Sequence, residues 1–443
     1  MNIFFVSLGC DKNLVDSEVM LGLLDAKGYQ IVDDETQADV IVINTCCFIH
    51  DAKEESINTI LEMAQYKEQN LKALVVAGCL AERYKDEILK EIPEIDAVLG
   101  TTSYDSIVEA VNTALEENTG EHFEHYESID YLPDNSEVER VVTTGNHMAY
   151  LKIAEGCDKR CSYCIIPKIR GRFRSVPMQE LLNEAKRLAS EGVKELVLVA
   201  QETTLYGKDL TGEKQLPLLL HELCKIEGIE WIRLLYCYPE EITDELIKVI
   251  KTEEKVCNYI DMPIQHSENR ILQRMGRRTS REDLVAVIKK LRKEIPDITI
   301  RTTLITGFPG ESQEDHEGLM NFVEECQFDR LGVFTYSPEE DTLAATFEDQ
   351  IDEEVKEERR DELMSLQQEI SYDKGTDRIG QELLVMIEGK VADENAYVGR
   401  TYRDAPNVDG LIFVNTDEEL MTGDFAKVKV TGAAEYDLIG EIA

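Results

Sequence analysis

Short apolar runs alternate with longer amphipathic segments along most of the chain, and this alternation restricts the possible fold more than any other feature of the sequence. In residues 1–117, runs such as NIFFVSLG, DVIVINT and ALVVAG are each followed by a segment with helical periodicity. Strands and helices that alternate in this way form parallel sheets with helices on their faces. The sequence therefore predicts an N-terminal doubly wound parallel α/β domain over residues 1–117.

A second alternating series follows an acidic, irregular stretch, which we interpret as a linker over residues 118–142. Its six apolar runs include AYLKIAEG, ELVLVAQ and ITIRTTLITG, with helical segments between them. Six strand–helix units predict a central partial (β/α) barrel. A long, highly charged helical segment comes after the sixth run, and we place the whole central domain at residues 143–373.

The character of the sequence changes again in residues 376–443. Four short runs, ELLVMIEG, AYVGRTY, GLIFVN and FAKVKVTG, are separated by glycine and acidic turns. This pattern predicts a small antiparallel β-barrel. Barrels of this kind often bind oligonucleotides, but acidic residues outnumber basic ones by more than two to one here. Such a charge is poorly suited to a polyanion.

The whole chain is strongly acidic, with 47 Lys and Arg against 89 Asp and Glu and a net charge of −42. This charge repels free nucleic acid and can attract a basic protein partner, although a role in solubility alone explains it equally well. The sequence contains no apolar run long enough to cross a membrane. The N-terminus, MNIFFVSLGCDKN, also lacks the regions of a secretory signal. We therefore expect a cytoplasmic protein whose 11 cysteines do not form disulfides.

Three cysteines lie close together in the stretch EGCDKRCSYCIIP, namely Cys157, Cys161 and Cys164. They follow a predicted strand and so belong to a loop at the C-terminal mouth of the barrel, where such folds place their active sites. Closely spaced thiolates hold iron–sulfur clusters. Three ligands on a four-iron cluster leave one iron with an open position, which is typical of a catalytic metal. Zinc would need a fourth ligand, and the next cysteine, Cys224, is distant and isolated.

A second set of three cysteines stands at the ends of the first three N-terminal strands, at Cys10, Cys46 and Cys79. The carboxyl ends of parallel strands meet at one edge of a sheet, so these thiols are predicted to form a second cluster site. Cys47 adjoins Cys46, and we prefer Cys46 because its position after its strand matches that of Cys10 and Cys79. We interpret the other cysteines as packing residues: Cys47, Cys224, Cys237, Cys257 and Cys326.

The spacing C-x3-C-x-aromatic-C, with Tyr163 as the aromatic residue, resembles the signature of the radical S-adenosylmethionine enzymes. In that superfamily the open iron binds S-adenosylmethionine, and the reduced cluster cleaves it to a radical that abstracts hydrogen from an unactivated carbon. The resemblance implies that Tyr163 lies near the adenine. It also implies that Gly307, in LITGFPGE, lets the backbone approach the adenosine, and that Glu202 is a candidate to hold the methionine amino group.

Two cluster sites, the α/β domain, the radical barrel and the small C-terminal barrel together resemble the methylthiotransferases over essentially the whole chain. The resemblance implies two [4Fe–4S] clusters, an auxiliary one at Cys10, Cys46 and Cys79 and a radical one at Cys157, Cys161 and Cys164. It implies a C-terminal TRAM domain and two uses of S-adenosylmethionine, as methyl donor and as radical source. A sulfur donor and an electron donor are further implied partners.

The methylthiotransferases divide into members that modify tRNA and members that modify an aspartate of small-subunit ribosomal protein S-twelve. Four stretches resemble the second branch: SLGCDKNLVDSE, IPKIRGRFRS, YIDMPIQHS and GVFTYSPEEDT. One departure is Asp11, where many members of that branch have proline. The acidic charge also favours a basic ribosomal protein, free or within the ribosomal subunit, over free tRNA. Two alternatives remain, a tRNA methylthiotransferase and a non-catalytic, metal-stabilised RNA-binding protein.

A short basic run in the same region contains Lys168, Arg170, Arg172 and Arg174. Three interpretations are open: contact with RNA, a pocket for the carboxylate of S-adenosylmethionine or of the substrate aspartate, or a solvated loop. We assign no general base. Removing a proton from the carbon beside a carboxylate would place a carbanion next to an anion, whereas removing a hydrogen atom leaves a neutral radical centre.

Overall fold

Six parallel strands form the N-terminal sheet of the computed structural model, which describes residues 1–116, 122–392 and 394–443. Residue 117 of the predicted first domain, residues 118–121 of the predicted linker and residue 393 lie outside this description. The sheet has the order β2-β1-β3-β4-β5-β6. Its strands are β1 (Asn2–Ser7), β2 (Gln30–Val32), β3 (Val40–Thr45), β4 (Ala73–Gly78), β5 (Ala97–Leu99) and β6 (Phe123–His125).

Helices cover both faces of this sheet, because alternate residues of each strand point to opposite sides. Ile41 and Leu74 belong to one core, which α2, α3 and α4 complete, and Val42 and Val75 belong to the other, which α1 and α5 complete. The predicted doubly wound fold is confirmed. The helices are α1 (Asp11–Ala26), α2 (His50–Ala64), α3 (Cys79–Arg83), α4 (Ile88–Glu91) and α5 (Ile107–Leu115).

Strand β6 lies within the stretch that was predicted to be an irregular linker. It pairs in parallel with β5 at the edge of the sheet. Its three residues, FEH, are only partly buried, so they show none of the apolar run that marks the inner strands. An edge strand of this kind leaves little pattern in the sequence.

The central domain is a row of six parallel strands in chain order, β7, β10, β11, β12, β13 and β14. The row consists of two three-stranded sheets, which meet where the segment before β12 runs beside β11 and the Cys257 amide donates to the Ile232 carbonyl at 2.9 Å. β7 and β14 form the two outer edges, so the predicted partial barrel is confirmed. The strands are β7 (Met148–Lys152), β8 (Ala154–Glu155), β9 (Arg174–Ser175), β10 (Glu195–Val199), β11 (Trp231–Leu234), β12 (Tyr259–Asp261), β13 (Thr299–Thr306) and β14 (Arg330–Thr335).

Amphipathic helices pack on the outside of the barrel, and capping boxes at Ser280 and Ser312 begin two of them. The last and longest helix runs back along β14 and reaches the C-terminal barrel. The helices are α6 (Ile166–Ile169), α7 (Met178–Ser190), α8 (Lys208–Thr211), α9 (Leu216–Cys224), α10 (Asp244–Thr252), α11 (Asn269–Arg274), α12 (Arg281–Glu294), α13 (Gln313–Cys326) and α14 (Glu353–Thr376). No helix in the described part of the chain is long and apolar enough to cross a membrane.

The C-terminal strands close into a barrel with the order β15-β16-β17-β19-β18, which confirms the predicted barrel. The fifth strand, β19, was not predicted, and it pairs in parallel with β17 while the other neighbours are antiparallel. The strands are β15 (Glu382–Lys390), β16 (Ala396–Thr401), β17 (Ile412–Asn415), β18 (Phe425–Ala433) and β19 (Leu438–Ile442).

A fully buried ion pair joins this small barrel to the central domain. Glu195, at the start of β10, accepts hydrogen bonds from Arg233 of β11 and Arg400 of β16, each at 2.7 Å. Arg233 also donates to the carbonyl oxygen of Tyr402 at 2.6 Å. Burial acts to raise the pKa of Glu195, but the two guanidinium groups outweigh it and lower the pKa to about 2. The carboxylate is therefore charged at neutral pH.

We expect Glu195→Gln to lower the free energy of unfolding by about 3–5 kcal/mol, because it leaves the buried Arg233 without a counter-charge and Arg400 with Glu388 alone. Chemical denaturation of the purified protein measures the change, and Glu230→Gln, at an exposed position before β11, is the matched control. The folded pKa of Glu195 lies below its ordinary value of 4.5. The contribution of the pair is therefore present above that value and is lost as the pH falls towards 2. Equal losses in the two variants would contradict this role.

Candidate active site

The three cysteines that follow β1, β3 and β4 meet at one edge of the N-terminal sheet. Gly9, before Cys10, has φ of +91°, and a Cβ atom there would lie 2.6 Å from Cβ and 2.9 Å from Sγ of Cys46. Gly78, before Cys79, has φ of +94°. Glycine alone adopts such angles readily, so the Gly-Cys pairs turn the chain at the strand ends and bring the thiols towards one another.

The electrostatics of Cys79 show the same proximity. Burial raises the pKa of its thiol well above the ordinary value, the guanidinium of Arg170 opposes this rise, and the thiols of Cys47, Cys46 and Cys10 add to it. Cys79 and Cys46 are buried, whereas Cys10 is exposed. The three thiols of Cys10, Cys46 and Cys79 therefore lie close together, with Cys10 at the protein surface and the other two beneath it.

Cys46 and Cys47 have different surroundings. The Cys47 thiol donates to the carbonyl oxygen of Cys79 at 3.1 Å and packs in an apolar core. The Cys46 side chain instead lies against Gly9, beside Cys10. This arrangement favours Cys46 over Cys47 as a ligand of the auxiliary cluster. The assignment of Cys46 stays a prediction.

Cys157, Cys161 and Cys164 lie in the loop between β8 and α6, at the mouth of the barrel. The Cys157 amide donates to the Gly171 carbonyl at 3.1 Å, and the Ser162 amide donates to the Met275 carbonyl at 2.9 Å. Burial, with a smaller contribution from the neighbouring Cys161 thiol, raises the pKa of Cys157 to about 11. The loop is thus held from two sides, with its three thiols close together.

The two trios fit iron–sulfur clusters better than single metal ions. In the described part of the chain, no three His, Cys, Asp or Glu side chains are arranged to hold one ion. In a cluster each thiolate binds a different iron, so the thiols need not converge on one point. Three thiols without a fourth ligand suit a cluster with one open iron and not a closed tetrahedral zinc site.

The structure places two of the predicted cofactor contacts side by side. The ring of Tyr163 lies edge-on to that of Phe308, with centroids 6.5 Å apart, and Phe308 directly follows Gly307. Gly307 has φ of +69°, and a Cβ atom there would meet the side chain of Lys356 on α14. Its lack of a side chain therefore serves the packing of α14, and its contact with adenosine stays a prediction.

Glu202, the third predicted contact, follows β10 and is 1% exposed. Its Oε1 accepts a hydrogen bond from the Thr204 hydroxyl at 3.1 Å, and its Oε2 lies 3.6 Å from Lys159 Nζ. Burial raises the pKa of Glu202 to about 7, against the opposing effect of Lys159. The Oε2 atom has no hydrogen-bond donor among the described residues, so it is available to a cationic group of a ligand.

Other buried polar atoms around the mouth also have no protein partner in the described structure, and the sequence pattern did not single them out. Arg277 is 8% exposed and stacks on Tyr238, with the guanidinium carbon 4.6 Å from the ring centroid. Its Nε and Nη1 atoms are unpaired. Further unpaired atoms are Gln201 Oε1, Gln265 Oε1 and Thr279 Oγ1. Buried polar groups normally have partners, so this set fits a polar ligand such as S-adenosylmethionine.

The basic run does not form a single surface. Lys168 and Arg172 are exposed, but Arg170 is buried and hydrogen-bonded to Asp16 and Glu155. Arg174 donates to the carbonyl oxygens of Arg170 and Arg172. The position of Arg170 contradicts a solvated loop at that residue and removes it from contact with RNA.

Three stretches of the chain match known families, and its full length matches known proteins. Residues 2–100 match the uncharacterized protein family UPF0004, residues 151–323 the Radical SAM superfamily and residues 379–443 the TRAM domain. A protein of Lachnoclostridium phytofermentans, "Ribosomal protein uS12 methylthiotransferase RimO", is 62% identical over 441 residues, 99% of each chain. The chain belongs to the RimO family. A protein of the same name from Acetivibrio thermocellus is 51% identical over 444 residues, 99% of this chain and 97% of that one.

Solved structures share the fold at low sequence identity. The radical S-adenosylmethionine methyltransferase TsrM of Kitasatospora setae aligns with a TM-score of 0.55 and 14% identity, over 75% of this chain and 72% of that one. The cobalamin-dependent S-adenosylmethionine radical enzyme OxsB aligns with a TM-score of 0.51 and 12% identity, over 82% of this chain and 56% of that one. Both likenesses support the architecture alone.

Membership of the RimO family makes the chain an enzyme, a methylthiotransferase of the radical S-adenosylmethionine type. Its cofactors are S-adenosylmethionine and two [4Fe–4S] clusters. The non-catalytic RNA-binding alternative is therefore wrong.

Proposed function

We propose that the chain adds a methylthio group to the β-carbon of an aspartate in ribosomal protein uS12, the protein called S-twelve above. The names of its relatives give uS12 as the protein on which those relatives act. The observation that carries the methylthio transfer itself is the pair of three-thiol sites in one chain, one at the sheet edge and one at the barrel mouth. Two such sites match a reaction that needs both a radical source and a place to hold sulfur.

We assign the radical cluster to Cys157, Cys161 and Cys164 and the auxiliary cluster to Cys10, Cys46 and Cys79. When bound, the cofactors supply a hydrogen-abstracting radical at the radical site and sulfur at the auxiliary site. Both sites sit in a protein environment that restricts water, since Cys46, Cys79, Cys157 and Cys161 are buried. The domain boundaries 1–117, 143–373 and 376–443 are proposed as the corresponding functional units, with residues 118–142 as a connection that also adds β6 to the N-terminal sheet.

The chain's own residues orient S-adenosylmethionine in this proposal. Tyr163 presents an aromatic ring to the adenine, next to the turn at Gly307. The desolvated carboxylate of Glu202 receives the amino group of the methionine moiety, because its Oε2, 3.6 Å from Lys159 Nζ, has no hydrogen-bond donor among the described residues.

No general base is part of the proposal. The titratable groups next to the cysteine loop are engaged elsewhere or face solvent: Glu155 binds Lys152, Lys159 binds Glu240 and Glu241, and Asp158 is exposed. This agrees with hydrogen-atom abstraction from a carbon beside a carboxylate, which needs no base.

The charge of the chain supports a basic protein substrate. A net charge of −42 steers a basic partner towards the enzyme and repels free tRNA. The runner-up is tRNA methylthiotransfer, which uses the same fold and clusters. An electron donor and a sulfur donor are required as further partners. The ribosomal substrate would place the reaction in the cytoplasm.

Mass spectrometry of a strain that lacks the gene tests the substrate. We expect uS12 from this strain to lose the mass of one methylthio group, and the methylthiolated nucleosides of its tRNA to be unchanged. Restoring the gene should restore the modification, whereas a gene carrying Cys157→Ala should not. Loss of a methylthio group from tRNA with unchanged uS12 would favour the runner-up.

Glu202→Gln is expected to weaken the binding of S-adenosylmethionine by about tenfold or more, because a hydrogen bond to a charged group contributes about 1.5–3 kcal/mol. Since the pKa of Glu202 is about 7, the wild-type protein should bind more tightly above pH 7, where the carboxylate is charged, than below it. The variant should lose this dependence. Equilibrium titration measures both effects, with Glu245→Gln, exposed on α10, as control. The same pH dependence in wild type and variant would refute the role.

A further inference from the structure

Four buried charged side chains lie between the two cysteine trios. Asp16 comes from α1, Lys152 from β7, Glu155 from β8 and Arg170 from the turn after α6. Each is at most 7% exposed. Lys152 pairs with both Asp16 and Glu155, and so does Arg170. The network is balanced, with two positive and two negative groups, and it joins the N-terminal domain to the barrel.

Arg170 also reaches the trio formed by Cys10, Cys46 and Cys79. Its Nη1 atom donates to Asp16 at 2.8 Å and to Glu155 at 3.1 Å. Its Nη2 atom lies 3.5 Å from Sγ of Cys79 and donates to Oδ1 of Asn13. The side-chain amide of Asn13 donates in turn to the carbonyl oxygens of Leu8 and Thr45, at 3.0 and 2.9 Å. The guanidinium group is therefore fixed on both sides, with one nitrogen directed at a cysteine sulfur.

A hydrogen bond from a buried cation to a thiolate affects the cluster that the thiolate holds. Reduction adds a negative charge to a cluster, and a nearby guanidinium stabilises that charge more strongly inside a protein than in water. Hydrogen bonds to the sulfurs and partners of the ligands set cluster potentials. Removal of this donor should therefore shift the potential of the cluster in the negative direction.

We propose that Arg170 is a positioning residue of the auxiliary site, which orients Cys79 and raises the reduction potential of the cluster held there. The inference rests on the proposed function, because it assumes a cluster at Cys10, Cys46 and Cys79. Through Glu155, two residues before Cys157, the same guanidinium group also fixes the auxiliary site relative to the radical site.

The test uses the full chain with Cys157, Cys161 and Cys164 all replaced by alanine, so that a single cluster remains after anaerobic reconstitution. Arg170→Met is combined with Asp16→Asn in this background, which removes one charge of each sign and keeps the network neutral. A redox titration followed by electron paramagnetic resonance should show about a tenfold fall in the ratio of reduced to oxidised cluster at a fixed solution potential. This corresponds to about 59 mV for a one-electron couple.

Arg170→Lys keeps the positive charge but loses the paired terminal nitrogens of the guanidinium group. We therefore expect a smaller shift of the cluster's reduction potential, in the same negative direction. Arg172→Met is the matched control in the same loop, because the exposed side chain of Arg172 has no ion pair in the described structure. The reduction potential of the cluster should not change in this variant. An unchanged potential in both Arg170 variants would overturn the inference. If the double variant alone loses the cluster, Arg170→Lys decides: a negative shift of its potential supports the inference, and an unchanged potential overturns it. If the background protein itself binds no iron, the proposed auxiliary site fails instead.

Discussion

Cys157→Ala is expected to abolish the formation of 5′-deoxyadenosine while leaving the auxiliary cluster in place. The Cys157 thiol is buried, and its backbone is held by Gly171 in a loop with only three thiols. Removing one of them leaves two ligands, too few to hold a cluster with a single open iron. Iron content should fall by about one cluster per chain, and the product should become undetectable by chromatography after incubation with S-adenosylmethionine and a reductant.

The control for this variant is Cys224→Ala, since Cys224 is half-buried on α9 and belongs to neither trio. It should keep both the iron and the deoxyadenosine. Deoxyadenosine production by Cys157→Ala at the control's rate would remove the assignment of the radical site.

Cys10→Ala is expected to have the complementary effect, with loss of about one cluster of iron and no transfer of sulfur, but continued formation of deoxyadenosine. Cys10 is exposed, unlike Cys46 and Cys79, so its replacement disturbs the core little and reports on ligation. Iron analysis and mass spectrometry of the uS12 substrate measure the two losses.

Cys47→Ala separates the two adjacent cysteines. The Cys47 thiol hydrogen-bonds to the Cys79 carbonyl and packs in the core, so the variant should keep its iron. Unchanged iron in Cys10→Ala would refute the auxiliary site, and iron loss in Cys47→Ala would transfer the ligand role from Cys46 to Cys47.

Features carried by local patterns could be predicted from the sequence. Apolar runs marked every inner strand of the sheet and of the partial barrel, and Cys10, Cys46 and Cys79 were found because each follows such a run. The Gly-Cys pairs at Gly9 and Gly78 are a further sequence signal that was not used, since both glycines adopt positive φ angles. These properties depend on residues close together in the chain.

Features that depend on distant contacts could not be predicted in this way. Edge strand β6 is half exposed, and β19 depends on a parallel pairing with β17 across the barrel. Arg170 stands in a basic run that resembles a surface loop, yet its partners Asp16 and Cys79 are about 150 and 90 positions away. Nothing near Arg277 in the sequence indicated that two of its nitrogens would be buried without hydrogen-bond partners among the described residues.

The buried pairing of Glu195 with Arg233 and Arg400 has a consequence for protein engineering. The C-terminal barrel is not an independent appendage, because one of its arginines completes a charge inside the neighbouring domain. A chimera that replaced this barrel with the basic barrel of an RNA-binding protein would need an arginine at the position of Arg400, or Glu195 would be left with a single partner. Grafting of a different C-terminal barrel is therefore limited by the buried charges at the contact between the two domains as well as by the fold of the barrel itself.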